Sequence, residues 1–286
     1  MEKRIIIRGV LVGALGGLLA FVFARIFAEP VIARAIDYEN GRDAAKDALN
    51  AATGMPPMDM GPDLFSRTVQ ANVGIGFGMV LFGVAMGAIF AVVYCVCIGR
   101  VGKISLRNLA LLVAGGLFLS IYLVPFLKYP ANPPSIGRPE TIKDRGGLYL
   151  LMVLCSLLFL GGAVWLGKRL ATRFGNWTAT LLAAGAFLIA IGIVMFMLPS
   201  LGHLSANVSE YGSFATETPQ PLKDHSGAIV YPGFPADDLY LFRLYSVGAQ
   251  AILWATVGLC FAPMATRLLG SNAAGELSAS RDSGRR

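Results

Sequence analysis

The chain has 286 residues, 55% of them hydrophobic and only 14% charged, where a soluble domain carries about 25% charged residues. That balance excludes an ordinary soluble globular protein and points to an integral membrane protein. The net charge of +7 does not signal nucleic acid, because Lys and Arg collect in short clusters between apolar runs, the pattern that sets membrane topology.

A helix crosses a hydrocarbon core of about 30 Å with about twenty apolar residues. Six stretches qualify, at about 5–27, 69–98, 106–127, 148–166, 178–198 and 243–265. The first follows Lys3, Arg4 and Arg8 as a signal peptide would, but it continues to Phe27 without a small-residue cleavage site and reads as a retained helix. Gly9, Gly13 and Gly17 recur on it every four residues, and Gly74/Gly78 and Gly83/Gly87 repeat the spacing on the second stretch. Small residues at that interval let two backbones approach closely in lipid, which predicts an intimate pair of the first two helices; a flexible hinge is the alternative reading.

Lys and Arg of the short connections place both termini on the cytoplasmic side: Lys3, Arg4 and Arg8, then Arg100, Lys103 and Arg107, then Lys168, Arg169 and Arg173, and finally Arg267 with the Arg285-Arg286 tail. The three longer segments, 28–68, 128–147 and 199–242, fall on the opposite side with fourteen of the seventeen acidic residues and both histidines. The expected architecture is an all-α polytopic membrane helix bundle of about six transmembrane helices. Residues 1–270 form its single helical domain, and "SNAAGELSASRDSGRR", 271–286, is small, polar and expected to be a disordered cytoplasmic tail.

The third stretch ends in "VPFLKYPANPPSIGRPETIKDR", 124–145. Proline has no amide donor and pushes its predecessor out of the helical region, so the helix is expected to end between Pro125 and Pro130. Lys128 and Tyr129 suit the headgroup layer, and Pro130, Pro133 and Pro134 favour a low-entropy extended run from which Asn132 can bond freed backbone groups. Such a segment is either an outer cap shaping a mouth above the helices or a rigid clip between two of them.

Chemistry-bearing patterns are sparse. There is no phosphate-binding loop, HExxH helix or CxxC pair, and Cys95, Cys97, Cys155 and Cys260 lie within or at the end of apolar runs, where no disulfide is expected. His203, Asp224, His225, Asp237 and Asp238, together with Met58 and Met60 of "MPPMDMGPD", are the candidate metal ligands of the outer segments, since imidazole, carboxylate and thioether suit first-row metals. Loop packing is the competing account for the methionines. No Asp, Glu, Lys, Arg or His lies in the middle of any span, where pumps and proton-coupled carriers usually place one. Gln70 and Asn72 near the outer end of the second stretch, with Arg243 and Gln250 on the last, make a candidate polar vestibule, with interhelical packing as the alternative. Arg243 is expected to pair with Asp237 or Asp238.

The 124–145 stretch followed by "GLYLLM" resembles the CbtA family of integral membrane proteins. So do "AEPVIARAIDYE", "FSRTVQANVGIGFGMVLFGVAMGAIFAVVY" and "YPGFPADDLYLFRLYSVGAQAILWATVGLCFA". The resemblance implies a subunit of a cobalt uptake system connected with cobalamin synthesis, in the inner membrane. It also implies a small single-span partner, CbtB, with a histidine-rich end. Cobalt would be the transported ion, with no permanently bound cofactor and no enzymatic activity. The competing functions are a non-transporting accessory or assembly protein that binds a small partner, and a membrane oxidoreductase, which the shortage of buried His and of any dithiol disfavours.

Overall fold

Helices α1 (Glu2–Phe27), α2 (Glu29–Ala52), α3 (Arg67–Cys97), α4 (Leu106–Lys128), α5 (Ile142–Met197), α6 (Ser205–Tyr211) and α7 (Ala236–Ser283) make up most of the chain, with one small antiparallel hairpin of β1 (Leu222–Lys223) and β2 (Ile229–Tyr231). The computed structural model describes residues 2–54, 56, 66–102, 104–212 and 216–283, with side chains as far as 267; Met58 and Met60 lie outside the described residues. Among the described residues five helical stretches are long and apolar enough to cross a membrane: α1, α3, α4, the stretch Pro139–His203 that contains α5, and α7 to Arg267. Their large apolar side chains point outward, as Phe77, Leu127, Leu150, Leu188 and Phe196 do. Such a surface is stable only against lipid.

The 56 residues of α5 would measure about 84 Å as a straight helix. Instead the helix is broken at Gly175, whose φ of 74° and ψ of 166° lie in a region reserved for glycine. The two limbs then fold back on each other. Met152, Phe159, Leu160 and Ala163 of the first limb pack with Phe187, Ile191, Val194 and Met195 of the second. The two stretches expected at 148–166 and 178–198 are these limbs, joined through one non-helical residue.

The chain forms two compact units. In the first, made of Met1–Arg25, Ser66–Phe118 and Gly248–Arg286, α1 and α3 run antiparallel in backbone contact. A Cβ on Gly9 would stand 2.6 Å from the Gly87 carbonyl oxygen, and one on Gly83 would stand 2.9 Å from the Gly17 Cα. Gly78 takes no part, because a Cβ there meets nothing within 4 Å, and Gly74 sits in a π-helical turn, Gln70–Gly74. The core of this unit is an aromatic group in which Phe261 stands edge-on to Phe90 at 4.9 Å and to Tyr94 at 5.1 Å, while the Tyr94 hydroxyl donates to Leu106 O at 3.0 Å.

The second unit, Ile26–Phe65 and Leu119–Val247, holds the α5 limbs and a polar cap. Helix α2 was not expected. Pro30 stands in its first turn, where a missing amide is harmless, and the buried positions Val31, Ile32, Ala35, Tyr38 and Arg42 recur at helical spacing on one face. That face meets Ile136 of the proline-rich segment, Tyr231 and Phe234. The Tyr38 hydroxyl donates to Pro232 O at 2.9 Å, Arg42 Nη1 to Gln220 O at 2.7 Å, and Arg34 pairs with Asp238 at 2.7 Å.

Candidate functional site

The end of α4 shows how the sequence builds the site. Pro125 lies inside the helix, which continues to Lys128 before leaving at Tyr129. A proline there deprives the carbonyl four residues back, Ile121, of its donor. The helix answers with a π-helical stretch, Phe118–Leu123, and the Tyr149 hydroxyl of α5 donates to Ile121 O at 3.2 Å.

Beyond Lys128 the proline-rich segment is tied down along its length. Lys128 lies over the ring of Tyr129, whose hydroxyl donates to Pro199 O at 2.9 Å. Arg243 Nε donates to Ala131 O at 3.1 Å and its Nη2 to Asn132 Oδ1 at 3.0 Å. Arg243 therefore does not pair with Asp237 or Asp238 as expected: it straps the segment down, and Asp238 is taken by Arg34. Pro133 is buried and Pro134 exposed. Below the segment lies a cavity of about 340 Å³ walled by Tyr122, Tyr129, Pro130, Asn132, Arg145 and Tyr149, with Phe126, Ile142 and Leu201 completing its apolar lining.

Behind the cavity is a buried polar network that the sequence reading missed. The Glu217 side chain, 8% exposed, takes Arg145 Nη1 at 3.0 Å, Thr141 Oγ1 at 3.1 Å and Asn207 Nδ2 at 2.7 Å. Arg138 bridges Glu140, Glu210 and the Ala206 carbonyl beside it. No spacing rule joins residues seventy apart in sequence; the one available signal was the unusual density of Arg and Glu around "GRPETIKDR".

The expected metal ligands are not brought together. Among the described residues no three His, Cys, Asp or Glu side chains could hold one ion. Asp224 is spent on its own turn, where Oδ1 accepts from the Ser226 hydroxyl at 2.6 Å, the Ser226 amide at 2.8 Å and the Ala228 amide at 3.0 Å. Those hydrogen bonds, the Ser226 hydroxyl first, hold its carboxyl below the usual carboxylate range. Neighbouring His225 thus sits in a hairpin turn of the Asp-Ser-Gly kind. His203 Nδ1 is 2.9 Å from the Ser200 hydroxyl.

The residues named for a vestibule have separate settings. Asn72 accepts from Arg25 Nε at 2.9 Å and donates to Thr68 O at 2.8 Å, and Gln70 opens the π-helical turn beside it. Gln250 buries its Oε1 on α7 without a hydrogen-bond partner among the described residues, and Arg243 belongs to the other unit.

A family model described as a probable cobalt transporter subunit (CbtA) matches residues 2–266, nearly the whole chain. The chain belongs to the CbtA family. No curated protein and no solved structure matches it. CbtA membership and the long apolar helices together make this a multi-pass membrane protein of a transport system, a family of transporter subunits rather than of enzymes. A subunit implies companions, and the proline-rich segment that carried the resemblance to CbtA proteins is the one that roofs the cavity.

Proposed function

We propose that the chain is the membrane subunit of a cobalt uptake system that serves cobalamin synthesis in the inner membrane, with both termini in the cytoplasm and a small single-span partner of the CbtB kind. The observation that carries this reading is the match to the cobalt transporter subunit family over residues 2–266. The chemistry of the chain supports a division of labour. Among the described residues the buried polar groups of the spans include hydroxyls, a thioether and an uncharged amide, as at Ser120, Ser156, Met152 and Gln250, with no imidazole among them. These are poor ligands for a strongly hydrated dication, so the partner contributes the imidazoles and this chain the passage. A second reading, an accessory protein that binds the partner and carries nothing, draws on the scattering of His203, His225 and Asp237 over a short helical turn, a hairpin turn and the first turn of α7.

The test is uptake of radioactive cobalt by a cobalt-limited strain expressing this chain alone, the small partner alone, or both. Uptake that requires both is the expected result. Uptake indifferent to this chain overturns the transport reading and leaves the accessory one.

A further inference from the structure

The cavity under the proline-rich segment has a charge pattern that a bare dication does not explain. Arg145 stands in its wall with Nη1 on Glu217 at 3.0 Å, while Nε is buried without a hydrogen-bond partner among the described residues. Nε is closed off from solvent, which leaves Nη2, without a hydrogen-bond partner among the described residues, as the guanidinium donor for an oxygen of a phosphate or carboxylate. Glu217 does not need the whole of Arg145, since Thr141 and Asn207 share its charge. Asn132 stands in the same wall. Its Oδ1 is occupied by Arg243 Nη2, which leaves Nδ2 as the donor end of the amide. The hydroxyls of Tyr129 and Tyr149 are turned to Pro199 and Ile121 carbonyls. Among the described residues no Asp or Glu lines the cavity, and Phe126, Pro130, Ile142 and Leu201 supply apolar wall. A volume of about 340 Å³ lies within the range of small-ligand clefts, about 300–1,000 Å³.

We propose that this cavity binds a phosphate oxyanion, held from the wall by Arg145 and from the roof by Asn132. Both a phospholipid headgroup and free phosphate have that chemistry. The apolar walls accommodate the first carbons of a lipid, and the roof, strapped by Arg243, keeps the anion partly out of water, where a charge-assisted hydrogen bond is strongest. The site is independent of which metal the protein handles.

The full chain, purified in detergent and stripped of lipid, is titrated by native mass spectrometry with dihexanoylphosphatidic acid, with dihexanoylglycerol, which lacks only the phosphate, and with inorganic phosphate. Two variants accompany it. Arg145→Gln removes the guanidinium. Gly146→Leu fills the cavity while leaving the Arg145–Glu217 pair in place, since a Cβ on Gly146 meets nothing within 4 Å. The expected result is phosphatidic acid binding at least about tenfold weaker in both variants, and weak, variant-independent binding of dihexanoylglycerol. Inorganic phosphate that binds with the same dependence on Arg145 identifies free phosphate as the ligand; dependence seen with phosphatidic acid alone identifies the lipid. Equal binding of phosphatidic acid to the wild type and to Gly146→Leu overturns the proposal, as does dihexanoylglycerol binding as tightly as phosphatidic acid.

Discussion

Gly87→Ala puts one methyl group into the α1–α3 contact, and the structure says how much room it lacks. The new Cβ falls against the Gly9 carbonyl oxygen and stands 2.9 Å from the Gly13 Cα, where carbon atoms rest at about 3.5–4.0 Å. The helices must part by about 1 Å, and a gap of that size forfeits up to about half the attraction of every atom pair along the seam. The expected loss is about 1–3 kcal/mol, the usual range for overpacking. Gly78→Ala makes the same chemical change on the same helix where nothing lies within 4 Å, and gains up to about 1 kcal/mol from alanine's helix propensity. The assay is unfolding in mixed micelles by sodium dodecyl sulfate, followed by tryptophan fluorescence. If Gly87→Ala proves as stable as Gly78→Ala, the backbone contact does not hold the two helices together and the reasoning fails.

Three further outcomes are expected. Glu217→Ala strands Arg145 and should destabilise the cap by about 2–3 kcal/mol, less than the about 3–5 for a fully buried pair because the Arg145 side chain is 26% exposed; proteolysis of the cap reads the loss. Gly175→Ala forces a Cβ into a glycine-only conformation and should cost about 1–3 kcal/mol in the same micelle assay. Burial raises Glu39 above the usual carboxylate range, against the pull of its hydrogen bond to Ser135. The native cap therefore binds that proton more readily than the unfolded chain does. Its stability falls as pH rises from the ordinary Glu range through the raised value, and hydrogen exchange of α2 amides should show a slope that Glu39→Gln removes.

What the sequence made legible follows from the range over which each signal acts. Length and hydropathy located the apolar helices, because a bilayer sets their size residue by residue: α3 and α4 fall within about two residues of the stretches expected for them. The glycine spacing named both helices of the α1–α3 contact but could not separate Gly83 and Gly87, which touch α1, from Gly78, which does not; that depends on the rotation of α3 about its axis. Helix α2 went unseen because its mean hydropathy is low and its apolar face is made of single residues between charges; the recurrence of Val31, Ala35, Tyr38 and Arg42 was the available sign. Asp224 and His225 suit a metal by residue type, but the Ser226-Gly227 that follows them spells a turn. Least legible was the cavity, since Asn132, Arg145 and Leu201 meet only after the chain has reversed at Gly175.

Pro125 has a consequence for how the protein is made. A bare peptide carbonyl inside a bilayer costs several kcal/mol, and Ile121 O has lost its own helical donor. The group that relieves it, the Tyr149 hydroxyl, is synthesised later and belongs to the next helix. The fourth helix thus leaves the ribosome without the ordinary donor for that carbonyl and gains the Tyr149 hydroxyl only when its successor has entered the lipid beside it, so the two are expected to integrate as a pair rather than one after the other.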